Sequence, residues 1–270
     1  MAESKVCPSS EATSKEEEEQ RRIPLGIAMA TASGLFFACM SVCVRIASAE
    51  LTSAQIVLVS GLVRWAGLAV ALGLAKEHPL PPRHLRAPLL ARCLTGIVSF
   101  CSVTFGCAHM PVGDAISIFM TEPIWASLVS YLLLKERMTK LDLALMPICL
   151  VSVVLVARPT FLFGPPTSDA EAAATDDPVP RAVVSLVVLV GAAFGGTVGV
   201  TVRWIKRRGG LHPAAIAHAF AASQTLLAPA LLLLPGQAPV WRGLSVRAVG
   251  AAVGVGLLAV PNQLLFTAGL

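Results

Sequence analysis

Residues 110–164 read MPVGDAISIFMTEPIWASLVSYLLLKERMTKLDLALMPICLVSVVLVARPTFLFG. Two apolar runs, 115–134 and 141–157, flank the charged turn Lys135-Glu136-Arg137-Met138-Thr139-Lys140. Runs of about 17 to 20 mostly apolar residues are long enough to cross the hydrocarbon core of a bilayer. A turn this short joins only an antiparallel helix pair. The first run is interrupted near its middle by Thr121-Glu122-Pro123. A carboxylate and a helix breaker at that depth are expensive in lipid and are tolerated where they face a bundle interior or a water-filled cavity.

Composition extends this reading to the whole chain. The 270 residues are 55% hydrophobic and only 14% charged, against roughly 25% charge in an average soluble domain. The net charge of +5 sits in short loops between apolar runs, which is a topology signal rather than a nucleic-acid footprint. Six of the seven cysteines lie inside apolar runs, with no CxxC pair and no Cys/His metal spacing, so they read as small packing residues. No metal, cofactor or nucleic-acid partner is expected.

Taken in order, residues 1–22 read as a disordered tail, with Glu16–Glu19 ahead of Arg21 and Arg22. Apolar spans are expected at 24–46, 54–75, 93–110, 115–134, 141–157, 182–204, 213–234 and 246–270, eight in all. Residues 159–181, rich in Pro and acids, read as the connection between two halves, 23–158 and 182–270. With the N-terminus in the cytosol, fifteen of the 21 Lys and Arg fall on the cytosolic side, Arg92 counted among them, five fall opposite, and Arg64 is intramembrane. That bias favours a cytosolic N-terminus.

Spans one to three resemble spans six to eight. Gly34 leads to Val44-Arg45 in the first half, as Gly191 leads to Val202-Arg203 in the second. Span three ends Gly106-Cys107-Ala108-His109 and span eight ends Thr267-Ala268-Gly269-Leu270, with Gly96 and Gly256 each twelve residues before the alanine. Five spans separate the copies, an odd number, so they cross the membrane in opposite directions. Inverted repeats with a site at their interface are a recurring plan for secondary transporters. The expected fold is an all-α polytopic membrane protein built from two inverted repeats, the second incomplete.

Pro123 followed by Leu134-Lys135-Glu136-Arg137, the Asp114-Ala115 entry and the ARPTFLFG run 157–164 resemble the drug/metabolite transporter superfamily with EamA-type repeats. Within it they are similar to subgroup G of solute carrier family 35. The resemblance covers roughly 25–270. It implies ten spans, so that Leu270 falls where the second copy of the opening stretch is expected to begin, as in a short form or a fragment. It also marks Glu136 as the residue that holds the cytosolic end of span four.

Several residues could carry chemistry. Arg64 is charged near mid-membrane, and reads either as a contact for an anionic group of a solute or as half of an ion pair with Glu122. Glu122 could bind a coupling proton or a cationic group. Pro123 frees a backbone carbonyl and shapes a cavity edge. Asn262 and Gln263, beside Pro261, could line the same pathway or act as packing glue. Arg45 and Arg203 occupy corresponding repeat positions and read as gate or anchor charges. His218 reads as structural.

The function expected is secondary transport of a small polar organic solute or metabolite by alternating access, coupled to protons or a counter-substrate, in the plasma membrane or an endomembrane. A homodimer is left open. The alternative is a non-transporting membrane scaffold or regulatory short form. An enzyme is not expected, because no Cys–His, Ser–His–Asp or phosphate-loop pattern is present.

Overall fold

The computed structural model describes residues 8–77, 81–135, 143–148, 151, 155, 179–233, 237 and 243–269. Among these the chain is all-α, with no strand. The helices are α1 (Pro8–Ala47), α2 (Ser53–Ala75), α3 (Arg86–His109), α4 (Val112–Phe119) and α5 (Glu122–Leu134), then α6 (Arg181–Arg207), α7 (Pro213–Leu231) and α8 (Val246–Gly269). Among the described residues, six stretches are long and apolar enough to cross a membrane, with α4 and α5 counted as one, and the apolar part of α1, Thr31–Ala47, is a shorter seventh. Of the expected span 141–157, only helical residues 143–148, 151 and 155 are described. The turn at 136–140, with Glu136, and residues 156–178 lie outside the described residues.

Of the tail 1–22 expected to be disordered, residues 8–22 belong to α1 as helix, and residues 1–7 lie outside the described residues. Low hydropathy argued for disorder, but Lys, Glu, Gln and Arg are also strong helix formers, and the helix continues through Pro24 into the apolar part.

Packing follows the exchange that relates the two halves. α1 packs on α8, and α3 packs on α6; α2 packs on α7. Exchanging spans one to three with six to eight turns the first pair into the second and returns the third to itself. Polar contacts fix the directions. Arg45 Nη1 donates to the Ala108 carbonyl at 2.7 Å, Arg181 pairs with Asp114 at 2.7 Å, and the Ser245 N–H donates to Glu50 at 2.6 Å. These contacts bring the C-terminal ends of α1 and α3 together with the N-terminal ends of α4, α6 and α8; α2 begins there too. We call this the first end. α3 and α7 start, and α5 and α6 finish, at the second end. Corresponding helices of the two halves therefore run oppositely.

Between apolar helices in lipid, association rests on close packing and on polar side chains rather than on the hydrophobic effect. Gly196 shows the first device. A Cβ there would meet the Ala126 nitrogen at 2.5 Å and the Glu122 carbonyl oxygen at 2.6 Å, so α5 lies against the bare backbone of α6. Gly191 and Gly195 on α6 are also closely packed, a Cβ at the first striking Ser102 Cβ and one at the second meeting Ser99 Oγ at 2.9 Å. On α1, Gly34 has nothing within 4 Å of a Cβ and faces a cavity instead.

The expected break in span four falls at Met120–Thr121, between α4 and α5. Pro123 supplies no N–H, and its ring cannot coexist with a helical carbonyl four residues back, at Phe119, where α4 stops. Pro123 instead sits in the first turn of α5, where φ near −65° suits a helix start. Thr121 turns its hydroxyl back to the Ile118 carbonyl at 2.9 Å, satisfying one of the oxygens that the break leaves over. α2 starts on a capping box. Thr52 accepts from the Gln55 N–H at 3.3 Å and its own N–H donates to Gln55 Oε1 at 3.0 Å.

Candidate functional site

A cavity of about 550 Å³ lies between the halves, walled by α1, α2, α3, the α4–α5 break, α6, α7 and α8. Its lining runs from mid-bundle toward the second end: Arg64 is near the middle of α2, while Arg92 is in the first third of α3 and Arg203 near the finish of α6. No residue from the first-end contacts lines it.

The cavity collects most of the residues singled out from sequence. Arg64, Glu122, Pro123, Arg203, Asn262 and Gln263 all lie on its wall. Arg45 does not; its guanidinium is spent on the Ala108 carbonyl at the first end. His218 faces the ring of Trp65, centroids 6.5 Å apart.

Arg64 is fully buried, at 0% exposure. Its Nη1 donates to Gln224 Oε1 at 2.8 Å, and its guanidinium carbon stands 4.3 Å from the centre of the Phe100 ring. The ion pair considered with Glu122 is therefore replaced by a neutral amide and an aromatic face. A charged group on an apolar wall gains from a ring's quadrupole and from an amide oxygen without being neutralised. Gln224 is itself anchored, its Nε2 donating to the Val57 carbonyl at 3.3 Å.

Arg92, counted from sequence among the cytosolic charges just ahead of span three, lies in the bundle instead. It is 1% exposed and lines the cavity. Its Nη2 donates to Gln263 Oε1 at 3.1 Å, and its guanidinium carbon lies 4.8 Å from the Phe220 ring centre. The bare backbone at Gly96 makes room, since a Cβ there would strike both the Arg92 Nη1 and Phe220. Arg64 Nε and Nη2 and Arg92 Nε and Nη1 are buried with no hydrogen-bond partner. Unmet guanidinium donors in a dry wall are costly.

Glu122 opens α5 on the cavity side, its carboxyl carbon 3.2 Å from where a Cβ at Gly195 would stand; glycine leaves space for the acid. It lies within electrostatic range of Arg92. Arg203 Nη2 donates to Ser130 Oγ at 3.0 Å, joining α6 to α5. Asn262 accepts from Ser33 Oγ at 2.6 Å, joining α8 to α1, so it serves as packing glue and wall at once. Sequence reasoning missed Arg92, Gln224, Phe100 and Phe220.

Oppositely directed repeats of apolar helices around a charged cavity define an all-α, multi-pass membrane protein with an internal cavity. The chain belongs to the EamA-like transporter family, which it matches over residues 24–158, the stretch that carries Arg64, Arg92 and Glu122. It is 29% identical over 161 residues to an uncharacterized membrane protein of Saccharomyces cerevisiae, covering 57% of this chain and 39% of that protein. It is 26% identical over 199 residues to a probable transport protein of the same yeast, covering 72% and 56%. It is 29% identical over 90 residues to human solute carrier family 35 member G1, covering 33% and 25%, in keeping with the subgroup resemblance. The chain thus spans 25–56% of the length of these relatives.

Proposed function

We propose that this chain is part of a secondary transporter that moves a small polar organic solute across a membrane by alternating access, with the cavity as its binding site. The observation that carries this is the cavity itself. It sits between inverted halves, holds charged groups deep in an apolar bundle, and reaches toward one end while the other is tied by Arg45, Glu50–Ser245 and Asp114–Arg181. Charge at such depth marks a solute or ion path by default. The family and the transport names of relatives support the same reading.

In this proposal the second end faces the cytosol, because the basic residues Arg83, Arg86, Lys206, Arg207 and Arg208 gather there, in or beside the short connections. The state described is cytosol-facing, and rocking of one half against the other breaks the first-end contacts to admit solute from the opposite side. The test is uptake of radiolabelled small organic acids, bases and neutral polyols into proteoliposomes holding the purified protein. Saturable uptake above empty liposomes for one class supports the reading; no uptake of any class above the empty control counts against it.

A further inference from the structure

We infer that the solute is a small organic dianion whose two acid groups are taken by Arg64 and Arg92, one reached from each guanidinium beside Phe220. The inference deepens the transport reading and rests on it only for the site's location.

Charge comes first. Among the described residues, the two fully buried charged groups on the cavity wall, Arg64 and Arg92, face a single acid, Glu122. An anionic solute is favoured there, whereas a cation would add to the positive charge.

Hydrogen bonding gives the same answer by an independent route. Each of the two buried guanidiniums spends one N–H on a glutamine and keeps two nitrogens without a partner. A carboxylate offers two oxygens in the plane that a guanidinium fork matches, and such charge-assisted contacts are the strong ones. The glutamines fix the forks without discharging them. Neither Gln224 nor Gln263 can act as counter-ion, so the positive field is kept for a ligand.

Spacing sets the size. Phe220 touches both groups, with Arg64 Cζ 5.5 Å and Arg92 Cζ 4.8 Å from its ring centre. These distances bound the guanidinium carbons to within about 10 Å of each other. With oxygens at about 2.8 Å from each fork, the acid groups of the solute are separated by at most a few carbon atoms. The rings of Phe100 and Phe220 give that short carbon chain an apolar face.

The test is calorimetric titration of the purified, detergent-solubilised protein with the linear dicarboxylates from malonate to adipate, and with butyrate, succinamide and inorganic phosphate. At least one dicarboxylate is expected to bind tenfold or more tighter than butyrate, with succinamide showing no binding. Phosphate, with its charge on one group, is expected to match butyrate. Arg64→Gln and Arg92→Gln should each bring the best dicarboxylate down to the butyrate value, and Arg64→Lys should recover part of the preference. If a glutamine variant does not fold, the wild-type preference and the lysine variant decide. A wild-type protein that binds no dicarboxylate tenfold better than butyrate, that binds succinamide equally well, or that prefers phosphate overturns the inference. Dicarboxylate binding without uptake in proteoliposomes would leave this site standing and defeat the transport reading; uptake that ignores both arginines would do the reverse.

Discussion

Arg64 and Gln224 are each the twelfth residue of their helices, α2 and α7, and they meet side chain to side chain at 2.8 Å. These helices are counterparts in the two inverted halves, so the contact lies on the axis that exchanges them. One position of the repeat has been filled with a cation and its mate with an amide that can accept from it. A second cation there would have repelled the first, and an acid would have neutralised it.

That contact is expected to be worth about 2 kcal/mol, the range for a hydrogen bond to a charged group. Gln224→Leu should lower the melting temperature of the purified protein, because it strands a buried guanidinium. The same change made on an Arg64→Leu background should cost much less. The double-mutant cycle on melting is the check, and additive losses would show that the two side chains do not depend on each other. Glu122→Ala should show weak coupling to Arg64 in the same assay.

Gly196 and Gly34 make a matched pair of tests. Gly196→Ala places a methyl against the backbone of α5 at Ala126 and Glu122, where no flexible side chain can yield. Loss of roughly 1–3 kcal/mol, read as reduced expression and a lower melting temperature, is expected. Gly34→Ala meets open space and should leave both measures unchanged.

How much of this was legible beforehand depended on local contrast. Glu122 and Pro123 stood out because a charge and a breaker inside an apolar run are conspicuous, and the break at Met120–Thr121 follows from the proline. Arg64 stood out for the same reason, but its partner did not. A single glutamine in the run 213–231 looks like ordinary packing glue, and only its register with Arg64 in the repeat could have flagged it. Arg92 was hidden by its neighbours: coming just ahead of span three after Arg83 and Arg86, it was counted with them on the cytosolic side, while the helix in fact starts at Arg86 and carries it six residues inward. Phe220 and Phe100 gave no signal, since aromatic rings are routine in apolar spans.

The first-end contact between Glu50 and Ser245 gives a pH dependence. The Ser245 N–H, then its hydroxyl, hold the Glu50 carboxyl below the usual carboxylate range. A lowered folded-state pKa means that the contact contributes fully above the unfolded value of about 4.3, and that this contribution is lost as pH falls through the lowered value. The melting-temperature gap between wild type and Glu50→Gln should therefore be constant near neutrality and close in acid. A gap that widens on acidification would refute the assignment.

The central claim is that the cavity is a solute path opening to one side at a time. It is tested most directly by placing a single cysteine at Ala126, on the cavity wall, in a chain otherwise free of cysteine, and probing sealed vesicles with a membrane-impermeant maleimide. Reaction is expected from the side that carries Arg83 and Arg86, none from the other side, and a gain of reaction from that other side when Glu50→Gln loosens the first end. Reaction from neither side, or equal reaction from both sides in the wild-type background, would contradict it.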